Sequence, residues 1–380
     1  MESWVRVNRD EITIGWPLQY DIYDDKGILL LKKGYIPESQ KQLDTLLDRG
    51  LYIREPFFSP RVTDASPPPE KTKKATPFEL LEEIYQELSA VYKTPEKIDF
   101  PFNIFRLGKK IQLVGSINAD AALGSLFLSR DWNYFVSHQI HCALICEVLL
   151  SKLGGIPEER LPLLAAGLTM NIGMIDLQKA LVTKQGKLTT EERVKIRQHP
   201  LSGVELLHKY GVTDKTWLTI VRQHHESRDG SGYPEGLRGD EIDHLARLIN
   251  IADVYSAKLS PRAYRESLPS HVAAREIFDG SRGQSFDKEL IRIFLREFGL
   301  YHPGSFVRLA NGEIALVTYR GKKIHHPVIH SIIKTDGTTF LSPKRRDCSK
   351  EEFKILDSNV PRKVNITINR QLVWGYWNPH

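Results

Sequence analysis

From Pro77 to about Gly299 the sequence reads almost wholly in helical periods, which predicts a mainly α central domain. One helix start is written out in Thr189-Thr190-Glu191-Glu192, a capping-box pattern ahead of Val194 and Ile196. On either side the period changes. Strand-like runs at Trp4–Val7, Leu18–Tyr23, Ile28–Leu31 and Leu51–Ile53, a turn at Asp24–Gly27 and an amphipathic helix over Ser39–Arg49 predict a small α/β module at 1–58. Residues 59–77, rich in Pro, Ser, Thr and charge, read as a linker to a helical domain at 78–300. Beyond Pro303, runs at Ser305–Leu309, Glu313–Tyr319, Ser331–Ile333 and Thr338–Leu341, with a hairpin turn at Asn311-Gly312, predict a β-rich appendage at 301–345. The tail at 346–380 is polar, weakly strand-like over Val364–Ile368, and carries no assigned role.

Composition narrows the function classes. The chain has 380 residues, enough for two or three domains, and 41% hydrophobic with 26% charged residues excludes wholesale disorder. A net charge of +6 suits an anionic small molecule and makes a nucleic-acid polymer a poor expectation. The basic stretches Lys71–Lys74, Arg320–Lys323 and Lys344–Arg346 read as solvated loops. Three cysteines without a CxxC motif predict neither a disulfide framework nor a thiolate metal site, and Cys142 and Cys146 read as small core residues. No apolar run approaches the ~20 residues of a membrane-spanning helix. The start MESWVRVNRDE is unlike a signal peptide, so the expectation is a cytoplasmic protein without a membrane partner.

The chemistry concentrates between residues 130 and 265. His138 falls on a helix from about Trp132 to Leu153, His199 follows the Thr189 helix, His224 and His225 end a helix starting near Asp214, and Asp253 lies inside an apolar helix, Leu245–Ala257. A lone helical histidine is more often a satisfied side chain than a ligand. A buried aspartate is usually paired, because leaving it unpaired is costly. Their order on four successive helices changes the weighing, since inward-facing imidazoles and a carboxylate suit Fe, Mn, Zn or Ni. A second cluster, His325-His326-Pro327-Val328-Ile329-His330, lies in a strand-and-turn region and reads as solvated loop.

The run HHESRDGSGYPEGLRGDEI at 224–242, with QHP at 198–200, IADVYSA at 251–257 and PRAYR at 261–265, resembles the HD-GYP family of bacterial phosphohydrolases. The likeness covers about residues 120–300. It implies an HD-like helical bundle with a two- or three-metal centre that hydrolyses cyclic di-GMP. It also implies His138, His199, His224, His225 and Asp253 as metal ligands. Gly232, Tyr233 and Pro234 match the family loop, and Arg262 and Arg265 match positions that approach the dinucleotide. It admits a homodimer and a signalling-protein partner docking on the GYP loop. A Gly-flanked tyrosine is usually surface-presented. The segment LLLKKGYIPESQKQLDTLLDRGLYI also resembles modules found ahead of such domains.

The family's name-giving motif is absent. Where it reads His-Asp-x-Gly-Lys, this chain has Met170-Asn171-Ile172-Gly173-Met174, aligned by Ile172-Gly173 and by LVTKQGKLTTEE downstream. In the family the Asp bridges metal ions roughly 3.5–4 Å apart, whose repulsion amounts to several kcal/mol even when screened. Neutral Asn171 bridges poorly, the Met170 thioether suits hard dications poorly, and Met174 removes a cation. One metal position would keep His138 and Asp253, the other His199, His224 and His225. No catalytic group is intact, and the cofactor expectation is one divalent transition metal or none. The sequence alone favours a degenerate domain that binds cyclic di-GMP, a related phosphodiester or a partner, with hydrolysis weak or lost. The alternative is an active metal-dependent phosphodiesterase with a remodelled or mononuclear centre.

Overall fold

The computed structural model describes residues 4–7, 12, 18, 20–35, 37, 51–54, 75–129, 132–184, 186–260, 267–279, 286–358 and 368–376. Two compact units emerge: Pro77–Phe306 with Val317–Val328, and Met1–Thr76 with Val307–Leu316 and Ile329–His380. The expected helix at Ser39–Arg49, most of the linker, the basic stretch Lys71–Lys74, the strand-like run Val364–Ile368 apart from Ile368 itself, and both Arg262 and Arg265 lie outside the described residues.

The N-terminal sheet contains β1 (Trp4–Arg6), β2 (Ile22–Tyr23), β3 (Leu29–Leu31) and β4 (Tyr52–Arg54) in the order β1-β4-β2-β3. Its strands are antiparallel, with Val5 opposite Ile53, and Ile22, Leu51 and Ile53 fill its small core. The β2–β3 turn closes where the Asp24 carboxylate accepts from the amides of Lys26 and Ile28, at 3.0 and 2.8 Å. The C-terminal sheet contains β5 (Phe306–Leu309), β6 (Ile314–Lys323), β7 (His326–Ile333), β8 (Thr339–Arg346) and β9 (Ile355–Asp357) in the order β8-β7-β6-β5-β9. His325 and His326 are exposed at the β6–β7 turn as expected, but His330 is buried in β7. Burial and then the Arg345 charge push its imidazole down to about 4.

The helices of the large unit are α1 (Pro77–Lys93), α2 (Phe100–Leu128), α3 (Tyr134–Lys152), α4 (Pro157–Thr169), α5 (Ile175–Thr183), α6 (Thr190–Lys209), α7 (Lys215–Gln223), α8 (His244–Leu259), α9 (Ser270–Asp279) and α10 (Lys288–Phe298). Side chains cap the starts: Asp99 for α2, Asn133 for α3, Thr189 with Glu192 as a capping box for α6, Asp214 for α7 and Asp243 for α8. Helix α2 bends at Asn118, whose φ of −166° leaves the helix while its side chain accepts from the Ala121 amide.

Helix α3 is the centre of the unit. Its residues from Phe135 to Leu149 are buried on nearly every side, apart from Ser137, so it lacks an amphipathic stripe. This corrects the expectation about apolar runs. By length and composition α2, α3 and the run Pro157–Gln178 are each long and apolar enough to cross a membrane. For α3, 78% of the apolar window is buried inside the protein, because neighbouring helices cover it all round.

Candidate metal centre

His199 and Pro200 both lie inside α6, not beyond its end. A mid-helix proline has no N–H to give the carbonyl four residues back. Here that carbonyl is Ile196 O, and it accepts instead from His199 Nδ1 at 2.6 Å. The proline thus frees the acceptor that fixes the histidine's tautomer. His224 is fixed in the same way. It caps the C-terminus of α7, where the last carbonyls lack helical partners, and its Nδ1 donates to Val221 O at 2.7 Å.

Because a carbonyl only accepts, both rings carry their hydrogen on Nδ1 and a lone pair on Nε2. The two Nε2 atoms face one another at 3.1 Å, and the residues are 1% and 0% exposed. Two buried lone pairs at this distance repel unless a cation lies between or beside them. His225 packs against the pair, its ring centroid 4.1 Å from that of His224, and donor atoms of all three lie within 4.8 Å of one another. Burial holds the three imidazoles in the neutral, ligating form: His199 is pushed down to about 3, and His224 and His225 below the usual histidine range. The donor set fits one divalent transition ion.

Asp253 stands next to this triad. Its Oδ2 lies 3.8 Å from His225 Nδ1, and its Oδ1 is 2.8 Å from His138 Nε2. Burial alone raises this carboxyl, but the His138 hydrogen bond and the surrounding imidazoles outweigh that and keep it well below the usual carboxylate range. The Asn250 amide donates to the His224 carbonyl at 2.6 Å, tying the end of α7 to the helix that carries Asp253. Cys142 is buried as expected for a core residue, yet its sulfur lies 3.7 Å from His138 Nε2, making His138, Cys142 and Asp253 a second donor group. No motif signals that in the residues, since one turn of α3 alone relates Cys142 to His138.

A cavity of about 300 Å³ opens onto both groups, lined by His138, His199, His225 and Asp253 together with Asn171 and Met174. Met170 is 0% exposed and belongs to the hydrophobic core, so it fills space and takes no part in the cavity. Its neighbour Thr169 accepts from Trp217 Nε1 at 2.7 Å, which fixes this corner against α7. Gly173 allows a close approach of backbone to α6: a Cβ there would sit 2.6 Å from the Gly203 amide nitrogen and would also meet the His199 carbonyl.

The loop after the histidine pair turns inward. Tyr233 is half-buried, its ring 4.7 Å from that of His225, and Arg197 lies over its face at 5.2 Å. The expectation of a surface-presented tyrosine is therefore corrected: Tyr233 is a wall of the cavity. Gly232 and Pro234 flank it and are half-buried. The buried Glu226, which sequence reasoning passed over, holds the loop by accepting from the amides of Glu235, Gly236 and Leu237 at 2.7, 3.2 and 3.0 Å.

Comparison with known proteins agrees with this geometry. A family model described as "HD domain" matches residues 128–290. A cyclic di-GMP phosphodiesterase of Pseudomonas aeruginosa is 32% identical over 204 residues, covering 53% of this chain and 47% of that protein. A probable cyclic di-GMP phosphodiesterase of Vibrio cholerae is 38% identical over 134 residues, covering 33% and 30%. The 3'3'-cGAMP-specific phosphodiesterase 1 of Vibrio cholerae is 34% identical over 159 residues, covering 41% and 36%. The chain spans less than half the length of each of these relatives.

Proposed function

We propose, from the premise that this chain carries an HD-superfamily phosphohydrolase domain related to the HD-GYP cyclic di-GMP phosphodiesterases, that it is a metal-dependent phosphodiesterase with a remodelled centre acting on a cyclic dinucleotide. The observation that carries the reading is the pair of Nε2 lone pairs on His199 and His224, joined by His225 and backed by an ionised Asp253. A scaffold that had lost its metal would have no need to keep two fixed imidazoles in mutual repulsion. The sequence alone favours a binder without turnover; this geometry and the relatives support the enzyme instead.

In this reading His199, His224 and His225 hold one divalent ion tightly, with Asp253 as the adjacent anion. When bound, such an ion supplies Lewis acidity toward a phosphodiester oxygen. The chain's own groups do the rest. The neutral imidazoles keep their lone pairs available at neutral pH. Tyr233 walls one side of the cavity with Arg197 over its ring, so that a ribose-phosphate ring lies against an aromatic face near a cation. Arg262 and Arg265 pair with the dinucleotide's phosphates. Asn171 offers a neutral amide to a phosphate oxygen. The central apolar helix α3 has 78% of its apolar window buried within the protein, and we place the chain in the cytoplasm.

One observation favours a second reading. Asn171 and Met174 line the cavity with neither an anion to bridge two ions nor a cation to steady the reacting phosphate. A chain that binds the dinucleotide and turns it over extremely slowly would serve as a receptor. The test is a single sample assayed for cyclic di-GMP and 3'3'-cGAMP binding and for release of linear product, with Mn2+ and with a chelator. Metal-dependent product supports the enzyme; tight binding without product supports the receptor.

A further inference from the structure

Behind the Asp253–His138 contact a chain of buried polar groups runs through the core. His138 Nδ1 lies 3.1 Å from Ser256 Oγ, Ser256 Oγ lies 3.0 Å from His141 Nδ1, and His141 Nε2 lies 3.2 Å from His302 Nε2. His302 Nδ1 lies 2.6 Å from the Pro303 carbonyl. His138, His141, Ser256 and His302 are 3%, 6%, 0% and 0% exposed, so water does not interrupt the chain. The residues come from α3, α8 and the segment after α10.

Donor and acceptor roles follow from the carbonyl end. Pro303 O accepts, so His302 carries its hydrogen on Nδ1 and offers a lone pair from Nε2. His141 Nε2 must then donate, which leaves its Nδ1 to accept from the Ser256 hydroxyl. The hydroxyl oxygen accepts in turn from His138 Nδ1. His138 Nε2 is then the ring atom that meets the Asp253 carboxylate, 2.8 Å away. Without a metal that contact is the hydrogen bond that steadies the Asp253 carboxylate, and one cation seated against both groups takes the place of its hydrogen. Cys142 Sγ is within 3.7 Å of the same Nε2 as a third donor. Running the chain the other way would require a doubly protonated His302 at 0% exposure, which is costly in this apolar surrounding of Phe127 and Tyr255 rings.

The geometry points to His302, His141 and Ser256 as a positioning relay that locks His138 in its ligating tautomer and keeps the His138–Asp253 pair ready for a second, more weakly held divalent cation beside the triad. This deepens the proposed function and rests on it for its place in catalysis, but the relay itself is a property of metal binding. A partner beyond the first ligands that sets an imidazole's tautomer typically changes metal affinity by about 10–100-fold.

The experiment titrates Mn2+ into the metal-stripped full chain by calorimetry, comparing wild type with Ser256→Ala, Ser256→Thr and His302→Phe. The expected result is two classes of site in wild type. The tight class is unchanged in every variant; the weak class loses about tenfold or more in Ser256→Ala and His302→Phe and is regained in Ser256→Thr, which keeps the hydroxyl. Ring 15N spectra of histidine-labelled wild type, which need no substitution, should show His138 protonated at Nδ1 and not at Nε2 when Mn2+ is replaced by diamagnetic Zn2+. A weak class that is absent from wild type or indifferent to Ser256→Ala, or a His138 protonated at Nε2 with the cation bound, overturns the relay. The readouts use no dinucleotide, so a chain with a relay-dependent weak class and no action on cyclic di-GMP upholds the relay while refuting the phosphodiesterase.

Discussion

His199 and His224 present their Nε2 atoms to each other across 3.1 Å, each ring pinned from behind by a backbone carbonyl. The carbonyl behind His199 is available because Pro200 cannot use it. Pro200→Ala restores a competing amide donor to Ile196 O. The expected outcome is a weaker hold on the tautomer and a fall in tight-metal affinity of about tenfold, with little change in metal-free melting temperature. Competition against a chromogenic chelator measures it, and an unchanged affinity would disprove this role for the proline.

Acid sensitivity should follow the triad. His199 titrates at about 3 in the folded chain and near 6.5 when unfolded, and His224 and His225 are shifted in the same direction. Between those values the unfolded chain binds more protons than the folded one, so unfolding free energy rises with pH. Stability is therefore lost as pH falls from about 6.5 toward 3. Saturating Mn2+ should move the acid midpoint lower, because a ligated imidazole cannot take a proton. Denaturant titrations at stepped pH, with chelator and with Mn2+, check both statements.

Asn171→Asp places a carboxylate in the wall of the cavity that residues of both donor groups line. It should strengthen the weak metal class by about tenfold or more and raise turnover. Met170→His acts differently, because Met170 is fully buried among apolar side chains. A polar ring there should cost about 1–3 kcal/mol of stability unless it finds a partner. Calorimetry and thermal melts of the two single variants separate the effects.

Gly173→Ala should destabilise by about 1–3 kcal/mol, since the new methyl meets backbone on α6 and the backbone must shift. The same shift moves the His199 carbonyl, so metal affinity should fall with stability. Equal metal affinity in a destabilised variant would uncouple that packing from the centre.

Much of this was legible in the residues and some was not. The helical succession is plain because Thr189, Asp214 and Asp243 cap helices whose apolar periods are long. The triad and Asp253 are legible because a motif fixes their order. The course of α6 past Pro200 is not, since a proline ordinarily signals a boundary and only the tertiary role of Ile196 O explains the exception. His302 lies 161 residues from His141, and no local period relates them. His330 misreads as solvated because β7 is buried continuously over Ile329–Ile333, while His326, four residues back on the same face, lies at the exposed turn end of the strand. Tyr233 misreads as surface because the Glu226 clamp, which folds the loop back, is a tertiary contact with no local pattern.

At the centre of the proposed chemistry, three histidines hold a metal that turnover needs. The most direct measurement is elemental analysis of the desalted full chain, wild type and His224→Ala, with cyclic di-GMP turnover recorded on the same samples. The expected result is about one transition metal per wild-type chain, lost in His224→Ala, with turnover that disappears together with the metal and returns when Mn2+ is added back to wild type only. Metal that stays bound in His224→Ala, or turnover indifferent to its removal, would contradict it.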